Sequence, residues 1–319
     1  MTETLAAWSL VGVYSAAVVY AIAFVVFVLD LGKRSAAPVA ASRVHSEVAA
    51  SAGSTAVLEK VDAPPAVPTA SASRYARTAL ALTAVGWVVH VAAIVMRGVA
   101  AERVPWANMF EFAMTGTGII VGVFLFANLW KDLRFLGVYV LGLALILMTL
   151  ATANFYVDVV PLPPALQSAW LVIHVLMAIM GTGFFSLGAG ISVAQLVQSR
   201  REAGHFKRLT LFRTIPSSEN LERLAYRVIV IGFVLWTFTL ICGAIWAEHA
   251  WGRYWGWDTK EVWTFVIWVV FAGYIHARAT RGWRGSRSAV LAIIGFAAVM
   301  FNFTVVNLFF AGLHAYSGL

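Results

Sequence analysis

Eight long apolar stretches constrain this chain more than any other feature of its sequence. A helix needs about 20 apolar residues to cross the hydrocarbon core of a bilayer, and open strands are excluded there because their edges would lack hydrogen-bond partners. Charged residues make up only 12% of the chain, about half of what a soluble domain carries. We therefore predict an all-α polytopic membrane protein with about eight transmembrane helices. The predicted spans are residues 8–29, 76–96, 110–130, 135–152, 169–198, 224–246, 262–280 and 288–311.

The pattern of apolar and polar stretches divides the chain into three parts. Residues 1–30 hold the first predicted helix, which is preceded by an acidic residue and followed by Lys33 and Arg34. This is the reverse of a secretory signal, so we expect the helix to be retained. Residues 31–74 are rich in Ala, Ser, Val and Pro without periodicity, which predicts a disordered cytoplasmic linker. Residues 75–319 form the main membrane domain.

The distribution of basic residues predicts the orientation in the membrane. The segments predicted to be cytoplasmic hold 19 of the 23 Lys and Arg residues, and such a bias in short loops marks the inner side. It also explains the net charge of +8 without a nucleic-acid partner. We therefore expect a multi-pass protein of the cell (plasma) membrane with both termini on the outer face. The loops predicted on that face are 97–109, 153–168 and 247–261.

Residues 246–268, here called the tryptophan segment, hold six of the 13 tryptophans in the chain. An interfacial belt needs one or two tryptophans per helix end, so this density favours a binding site for a flat hydrophobic ligand. Gly252 and Gly256 leave room for such a ring to approach the backbone. Arg253 and Lys260 are candidate contacts for acidic substituents on the ligand, the propionates if it is a heme. A plain aromatic belt is the alternative.

Two local features of the sequence limit its chemistry. The pattern Asp258-x-x-Glu261 directly before an apolar run is typical of a capping box, which predicts that Asp258 caps the seventh helix. Cys242 is the single cysteine and lies within an apolar run. A single cysteine excludes an internal disulfide framework and a cysteine-rich metal site. Any thiol chemistry must therefore use the sulfur of a partner.

Five of the seven histidines lie in or beside apolar helices, where an ionisable side chain is a candidate functional residue. The predicted topology places His174 near the outer end of the fifth helix and His314 just beyond the outer end of the eighth. Two outer imidazoles beside a shelf of indoles suggest axial ligation of a heme iron. Zinc is the rival metal, but the sequence has no His-x₃-His or cysteine pairing. A hydrogen-bonded structural role is the alternative for each histidine.

Several ordered motifs make the chain resemble the CcsA/ResC family, also labelled CcsB, which is the integral-membrane subunit of the system II cytochrome c synthase. Residues 251–263, WGRYWGWDTKEVW, resemble the WWD signature of heme-handling proteins. Thr259 stands where the family usually has proline, and the 31–74 linker has no counterpart that can be aligned. The other stretches that support the resemblance are His90 and residues 105–111, 164–174, 274–278 and 312–314.

The resemblance implies roles for individual residues. His174 and His314 match the two external histidines of the family, which ligate heme iron. His276 matches a histidine of a transmembrane heme site, and His90 matches a histidine found in some members only. The residues of the WWD loop expected to contact heme b are Trp251, Tyr254, Trp255, Trp257, Asp258 and Trp263.

The resemblance also implies an activity, that of a holocytochrome c synthase of the heme lyase type. The family presents reduced heme to apocytochrome c, whose Cys-x-x-Cys-His thiols add to the vinyl groups, and its usual partner is a ResB/CcsB-type subunit with a large external domain. A heme exporter or chaperone of the CcmC type, without synthase activity, is one alternative. A non-heme membrane transporter is the other, although the sequence has no matching halves of the kind that many transporters show. No catalytic acid or base is assigned.

Overall fold

The structure is a computed structural model that describes residues 2–36, 73–160, 162, 166–205, 215–280, 282–310 and 312–314. Within these residues it is helical, and eight helices are long and apolar enough to cross a membrane, which confirms the predicted fold class. They are α1 (Thr2–Ala36), α2 (Arg74–Ala101), α3 (Met109–Trp130), α4 (Gly137–Asn154), α5 (Ala169–Glu202), α6 (Ser218–Trp251), α7 (Thr259–Thr280) and α8 (Ser286–Phe301). A 3₁₀ turn, Arg134–Leu136, precedes α4, and α8 continues through a π-helical stretch, Asn302–Val306, into Asn307–Phe309.

The first helix is longer than the sequence predicts. It continues to Ala36, into the stretch assigned to the linker. Ser73 precedes α2, and its side-chain oxygen accepts a hydrogen bond from the amide of Tyr75 at the start of that helix. The disordered linker predicted at residues 31–74 otherwise lies outside the described residues.

Local sequence explains where several helices begin and end. Asn108, Ser168 and Ser217 precede α3, α5 and α6, and each side-chain oxygen accepts a hydrogen bond from an amide of the first turn. Helix α2 ends at Glu102 and α6 ends at Gly252, both in the left-handed region. These caps separate the membrane helices from the short connections that build the site.

Small residues allow the closest helix pairs to form. The most extensive packing is between α5 and α6 and between α1 and α2. A Cβ atom on Gly188 would lie 2.5 Å from Cγ1 of Ile229, and one on Gly86 would lie 2.8 Å from the ring of Tyr20. Glycine at a helix interface lets the backbones approach, which is the usual packing mode in membranes. Since α5 also packs against α3 and α8, it lies at the centre of the bundle.

At the end of the bundle opposite the tryptophan segment, a buried carboxylate joins α6, α7 and α8. Glu222 of α6 lies 3.3 Å from Nη1 of Arg278 on α7 and accepts a hydrogen bond of 3.0 Å from the amide of Gly285. Ser288 of α8 contacts the same carboxylate at 3.5 Å. This junction fixes the three helices relative to one another at that end.

Candidate functional site

A cavity lies at the end of the bundle that carries the tryptophan segment, and helices α3 to α8 all contribute to its lining. Its empty space is about 1430 Å³, a figure that includes space open to solvent. Its wall is mostly apolar. The aromatic residues that line it include Trp106, Trp236, Trp246, Tyr254 and Trp255, and the polar ones include His174, Lys260, Asn302, Asn307 and His314.

His174 and His314 lie on the same side of the bundle, and the rings of both contact the indole of Trp246. Trp246 is buried, with 1% of its surface exposed. The His174 ring stacks on it at a centroid distance of 5.8 Å, and the His314 ring meets its edge at 5.4 Å. The sum of these two distances is an upper limit on the separation of the imidazoles. Residues 140 positions apart in the sequence therefore line a single site.

The hydrogen bonds of both histidines select the same tautomer. Nδ1 of His174 lies 2.9 Å from the carbonyl oxygen of Thr239, and Nδ1 of His314 lies 2.7 Å from Oδ2 of Asp258. A carbonyl and a carboxylate can only accept, so Nδ1 donates in each pair and Nε2 keeps its lone pair. A neutral imidazole with Nδ1 held in this way is the usual form of a metal-ligating histidine.

Asp258 has two functions in the structure. It caps α7, because its side chain accepts from the amide of Lys260 while Oε2 of Glu261 accepts from the Asp258 amide at 3.1 Å. The predicted capping box is therefore present. The same carboxylate holds His314, and that hydrogen bond lowers the pKa of Asp258 below its ordinary value. The contact depends on Gly312, because a Cβ atom there would lie 2.2 Å from Oδ1 of Asp258.

The predicted residues of the WWD loop separate into two groups. Trp251 meets the His314 ring at 4.8 Å, and Tyr254 and Trp255 line the cavity. Trp257 is 75% exposed and adopts a positive φ of 60°, and Trp263 packs against Phe301 of α8 at a centroid distance of 4.3 Å. The first group lines the cavity or contacts His314 beside it. The second supports the loop or faces outward.

The two basic residues of the tryptophan segment also have different surroundings. Nη1 of Arg253 lies 3.1 Å from Oε1 of Glu261, and its guanidinium lies over the Trp251 ring. Lys260 lines the cavity, and its ammonium donates to the neutral side-chain amide of Asn307. Lys260 therefore presents its side-chain amine to a ligand in the cavity. Arg253 is held by a carboxylate of its own loop.

His90 and His276 lie among different helices. His90 is fully buried between α1, α2 and α3; its Nδ1 lies 3.3 Å from the hydroxyl of Tyr20, and a Cβ atom on Gly118 would lie 3.7 Å from its ring. His276 is exposed on α7, which packs against α6 and α8. The described structure does not bring these two imidazoles together, and neither lines the main cavity.

Sequence reasoning missed several residues that line the cavity. Trp106 lies in the connection before α3, and Trp236 lies on α6. Asn302 and Asn307 lie on the continuation of α8. The available signal for the asparagines was two amide side chains five positions apart in an apolar helix, where polar groups are costly. The π-helical stretch that carries the first of them has no comparable signal in the sequence, although such stretches are frequent at functional sites.

The arrangement defines a class of site: two imidazoles with free Nε2 atoms in an aromatic cavity at the end of a membrane bundle. Among the described residues, no group of three His, Cys, Asp or Glu side chains converges as a zinc site would require. The chemistry of the donors fits a planar ring with a central metal and acidic substituents. The fold and the site thus define a polytopic membrane protein with two imidazoles in an aromatic cavity at one end of its helix bundle.

Comparisons with known proteins identify the family. The model of the family described as cytochrome C assembly protein matches residues 106–314. The chain is 34% identical over 232 residues to the cytochrome c biogenesis protein CcsA of Guillardia theta, covering 67% of this chain and 77% of that protein. It is 30% identical over 274 residues to CcsA of Gloeobacter violaceus, covering 70% of this chain and 81% of that protein. The chain belongs to the CcsA family of cytochrome c biogenesis proteins.

A solved structure shows the same fold in a larger protein. The cytochrome c heme lyase CcmF matches with a TM-score of 0.64 and 15% sequence identity, over 94% of this chain and 46% of that protein. The chain thus spans about half the length of this structural neighbour. At this level of identity the match concerns the fold alone.

Proposed function

We propose that this chain holds heme b in the cavity of the tryptophan segment, with His174 and His314 as axial ligands of the iron, and presents it to apocytochrome c for covalent attachment. The observation that carries the proposal is the shared tautomer of the two histidines beside Trp246. Each Nδ1 is fixed by an acceptor that belongs to the protein, so each Nε2 is oriented before any ligand arrives. Such preorganisation lowers the cost of binding.

The residues around the histidines fit the remaining parts of a heme. Apolar and indole walls suit the porphyrin faces, and the side-chain amine of Lys260 can donate to one propionate. Arg253 is a weaker candidate for that contact because Glu261 already binds it. Trp251 and Trp255 would then bound the ring.

Attachment to the cytochrome consists of adding each thiol across a vinyl group. A sulfur–carbon bond forms, the vinyl double bond becomes single, and the thiol proton ends on the neighbouring carbon. The addition needs no net oxidant, and the sulfur comes from the Cys-x-x-Cys-His segment of the substrate. This chain would contribute binding, orientation and the ligands of the iron. No side chain of the site is assigned as an acid or base.

The exposed face of α7 supports the proposal of a partner subunit. Phe265, Val269 and His276 are all exposed on that helix, in a region apolar enough to span the membrane. An imidazole that faces hydrocarbon is costly, and a helix of a ResB/CcsB-type partner would cover it. A transmembrane heme site would then use His276 together with the partner. His90 is not part of this proposal, because Tyr20 and the surrounding helices enclose it.

Heme spectroscopy tests the axial ligands. The purified protein is expected to show a Soret band, and His174→Ala or His314→Ala is expected to reduce heme content about tenfold or more, since each removes one iron ligand. His205→Ala, an exposed residue at the opposite end of α5, is the matched control. Full heme content in both single variants would show that these histidines are not the ligands.

Co-expression with an apocytochrome c and the partner subunit tests the synthase activity. Covalent heme on the cytochrome, measured after denaturation, is the expected result. Heme bound to this protein without attachment to the substrate would support an exporter of the CcmC type instead. A purified protein without any Soret band would favour a non-heme transporter.

The proposed location of the site on the outer face of the plasma membrane has a separate test. Cysteines are introduced into the tryptophan segment, and their labelling is measured in intact cells.

A further inference from the structure

A second cavity lies beside the main one, between the connection that precedes α3 and the start of α5. Its empty space, which again includes space open to solvent, is about 660 Å³. Trp106 lines both cavities, together with Leu166 and Leu171, so these residues form the shared wall. We call it the side cavity. Its other lining residues include Arg103, Leu162, Gln167 and Ser168.

Two buried N–H groups of the side-cavity lining lack acceptors. Nε of Arg103 and Nε1 of Trp106 are both buried, and neither has a hydrogen-bond partner among the described residues. The Arg103 side chain is 93% buried, since only 7% of it is exposed. A buried donor without an acceptor costs free energy comparable to a lost hydrogen bond. Both groups are donors, so the missing partner is an acceptor.

The charge of the surrounding cluster also favours an anion. Arg97 and Arg103 both bind Glu111, at 3.1 Å and 2.7 Å, and the carboxylate is fully buried. Two guanidinium groups share one carboxylate in this cluster, which leaves a net positive charge. Isolated buried charge is unfavourable, so a bound anion would stabilise the arrangement.

The start of α5 adds to the same preference. Ser168 caps this 34-residue helix and lines the side cavity. The amino end of a helix carries a partial positive charge and favours anions. The helix dipole, the guanidinium and the indole N–H therefore all attract negative charge to the same place.

We propose that the side cavity is a binding site for an oxyanion, a carboxylate or a phosphate, which accepts hydrogen bonds from Nε of Arg103 and Nε1 of Trp106. Two sources have this chemistry. One is a propionate of the porphyrin bound in the main cavity, and for this source the inference rests on the proposed function. The other is the headgroup of an anionic lipid, which requires no porphyrin at all.

Trp106→Phe is the sharpest test, because it keeps the aromatic wall of the main cavity and removes only the N–H donor. The probes are iron mesoporphyrin and its dimethyl ester, which lacks the carboxylates, bound to the full-length protein in neutral phosphatidylcholine nanodiscs. We expect the wild type to prefer the acid over the ester. In the variant this preference falls roughly tenfold, the effect of losing one hydrogen bond to a charged group, because the affinity for the acid falls further than the affinity for the ester.

Two further variants separate the donor from general effects on the fold. Arg103→Lys keeps a positive charge beside Glu111 but has no Nε–H, so we expect the same loss of preference. Trp130→Phe, a residue that is 77% exposed at the far end of α3, is the control and should behave as the wild type. A variant that weakens binding of acid and ester equally would show that Trp106 only shapes the main cavity, which would exclude the propionate as the ligand of the side cavity.

The lipid source has its own measurement. The porphyrin-free protein is placed in nanodiscs with and without phosphatidylglycerol, and its thermal unfolding midpoint is recorded. A stabilisation by the anionic lipid that Trp106→Phe abolishes supports the site with a phosphate as its ligand. If neither the acid-to-ester ratio nor the lipid effect changes in the variant, the side cavity binds no oxyanion. A wild type that binds neither porphyrin form would refute the proposed function. The lipid measurement would still test whether the side cavity binds an oxyanion.

Discussion

Asp258→Asn isolates the contribution of one carboxylate to the candidate ligand His314. The two side chains meet at 2.7 Å, and the exposed fractions are 15% for the histidine and 8% for the aspartate. A hydrogen bond to an ionised partner is worth about 1.5–3 kcal/mol, and a neutral one about 0.5–1.5 kcal/mol. The substitution keeps an acceptor but removes its charge, so we expect a loss of about 1–2 kcal/mol. Because this hydrogen bond is present without heme as well, heme affinity falls through the lost support of the ligating histidine, which typically costs about 10- to 100-fold in metal affinity; since the asparagine still accepts, we expect the low end, roughly tenfold.

The assay is a heme titration of the purified protein followed at the Soret band. Asparagine caps helices about as well as aspartate, so the start of α7 should be preserved and the thermal unfolding midpoint should fall only by the loss in this one hydrogen bond. Asp258→Ala is the comparison, because it removes the cap as well as the acceptor and should lose both stability and affinity. The reasoning would be refuted if the asparagine variant bound heme as tightly as the wild type while the alanine variant only lost stability. Asp258 would then be a helix cap without influence on His314.

Two further predictions follow from the same geometry. Gly243→Ala should lower heme affinity about tenfold and destabilise the protein by about 1–3 kcal/mol, because the new Cβ atom would lie 2.7 Å from Nδ1 of His174 and would displace the ring. Gly273→Ala, where nothing lies within 4 Å, is the matched control, and equal heme titrations for the two variants would contradict the prediction. The wild type should also become less stable in acid. The pKa of Asp258 is lower in the folded protein than its ordinary value of 3.8. The contribution of this carboxylate to folding stability is therefore fully present above that value and is lost as the pH falls below it. Unfolding midpoints measured from pH 6 to pH 3 should therefore fall less for Asp258→Asn than for the wild type, and parallel curves would disprove the linkage.

The two loops at the site end of the bundle share a spacing that only the structure makes meaningful. The pattern Arg-x₄-Asn/Asp-x₂-Glu occurs at 103–111 and again at 253–261. In both, the arginine binds the glutamate, and the glutamate accepts a backbone hydrogen bond from an amide of its own loop. The Asn/Asp position precedes a membrane helix in each case. One loop holds His314 through its aspartate, and the other forms a wall of the side cavity.

The sequence by itself determined the helical membrane fold and the helix caps. Transfer of apolar residues into lipid is a local and additive property, so hydropathy located eight spans that the structure confirms. Capping is equally local, and the box at Asp258 and Glu261 follows from residues three positions apart. The tryptophan segment stood out for the same reason, since six indoles in 23 residues need no knowledge of distant contacts.

Tertiary structure alone decided which side chains face the cavity and what they contact. The rotation of each helix about its axis depends on packing between distant residues, as at Gly188 and Ile229. That rotation directed Trp236 of α6 into the cavity and Trp263 of α7 against α8. Likewise, hydropathy gives no information about the carbonyl of Thr239, which fixes the tautomer of His174. Such contacts join elements far apart in the chain, and a one-dimensional pattern carries no record of them.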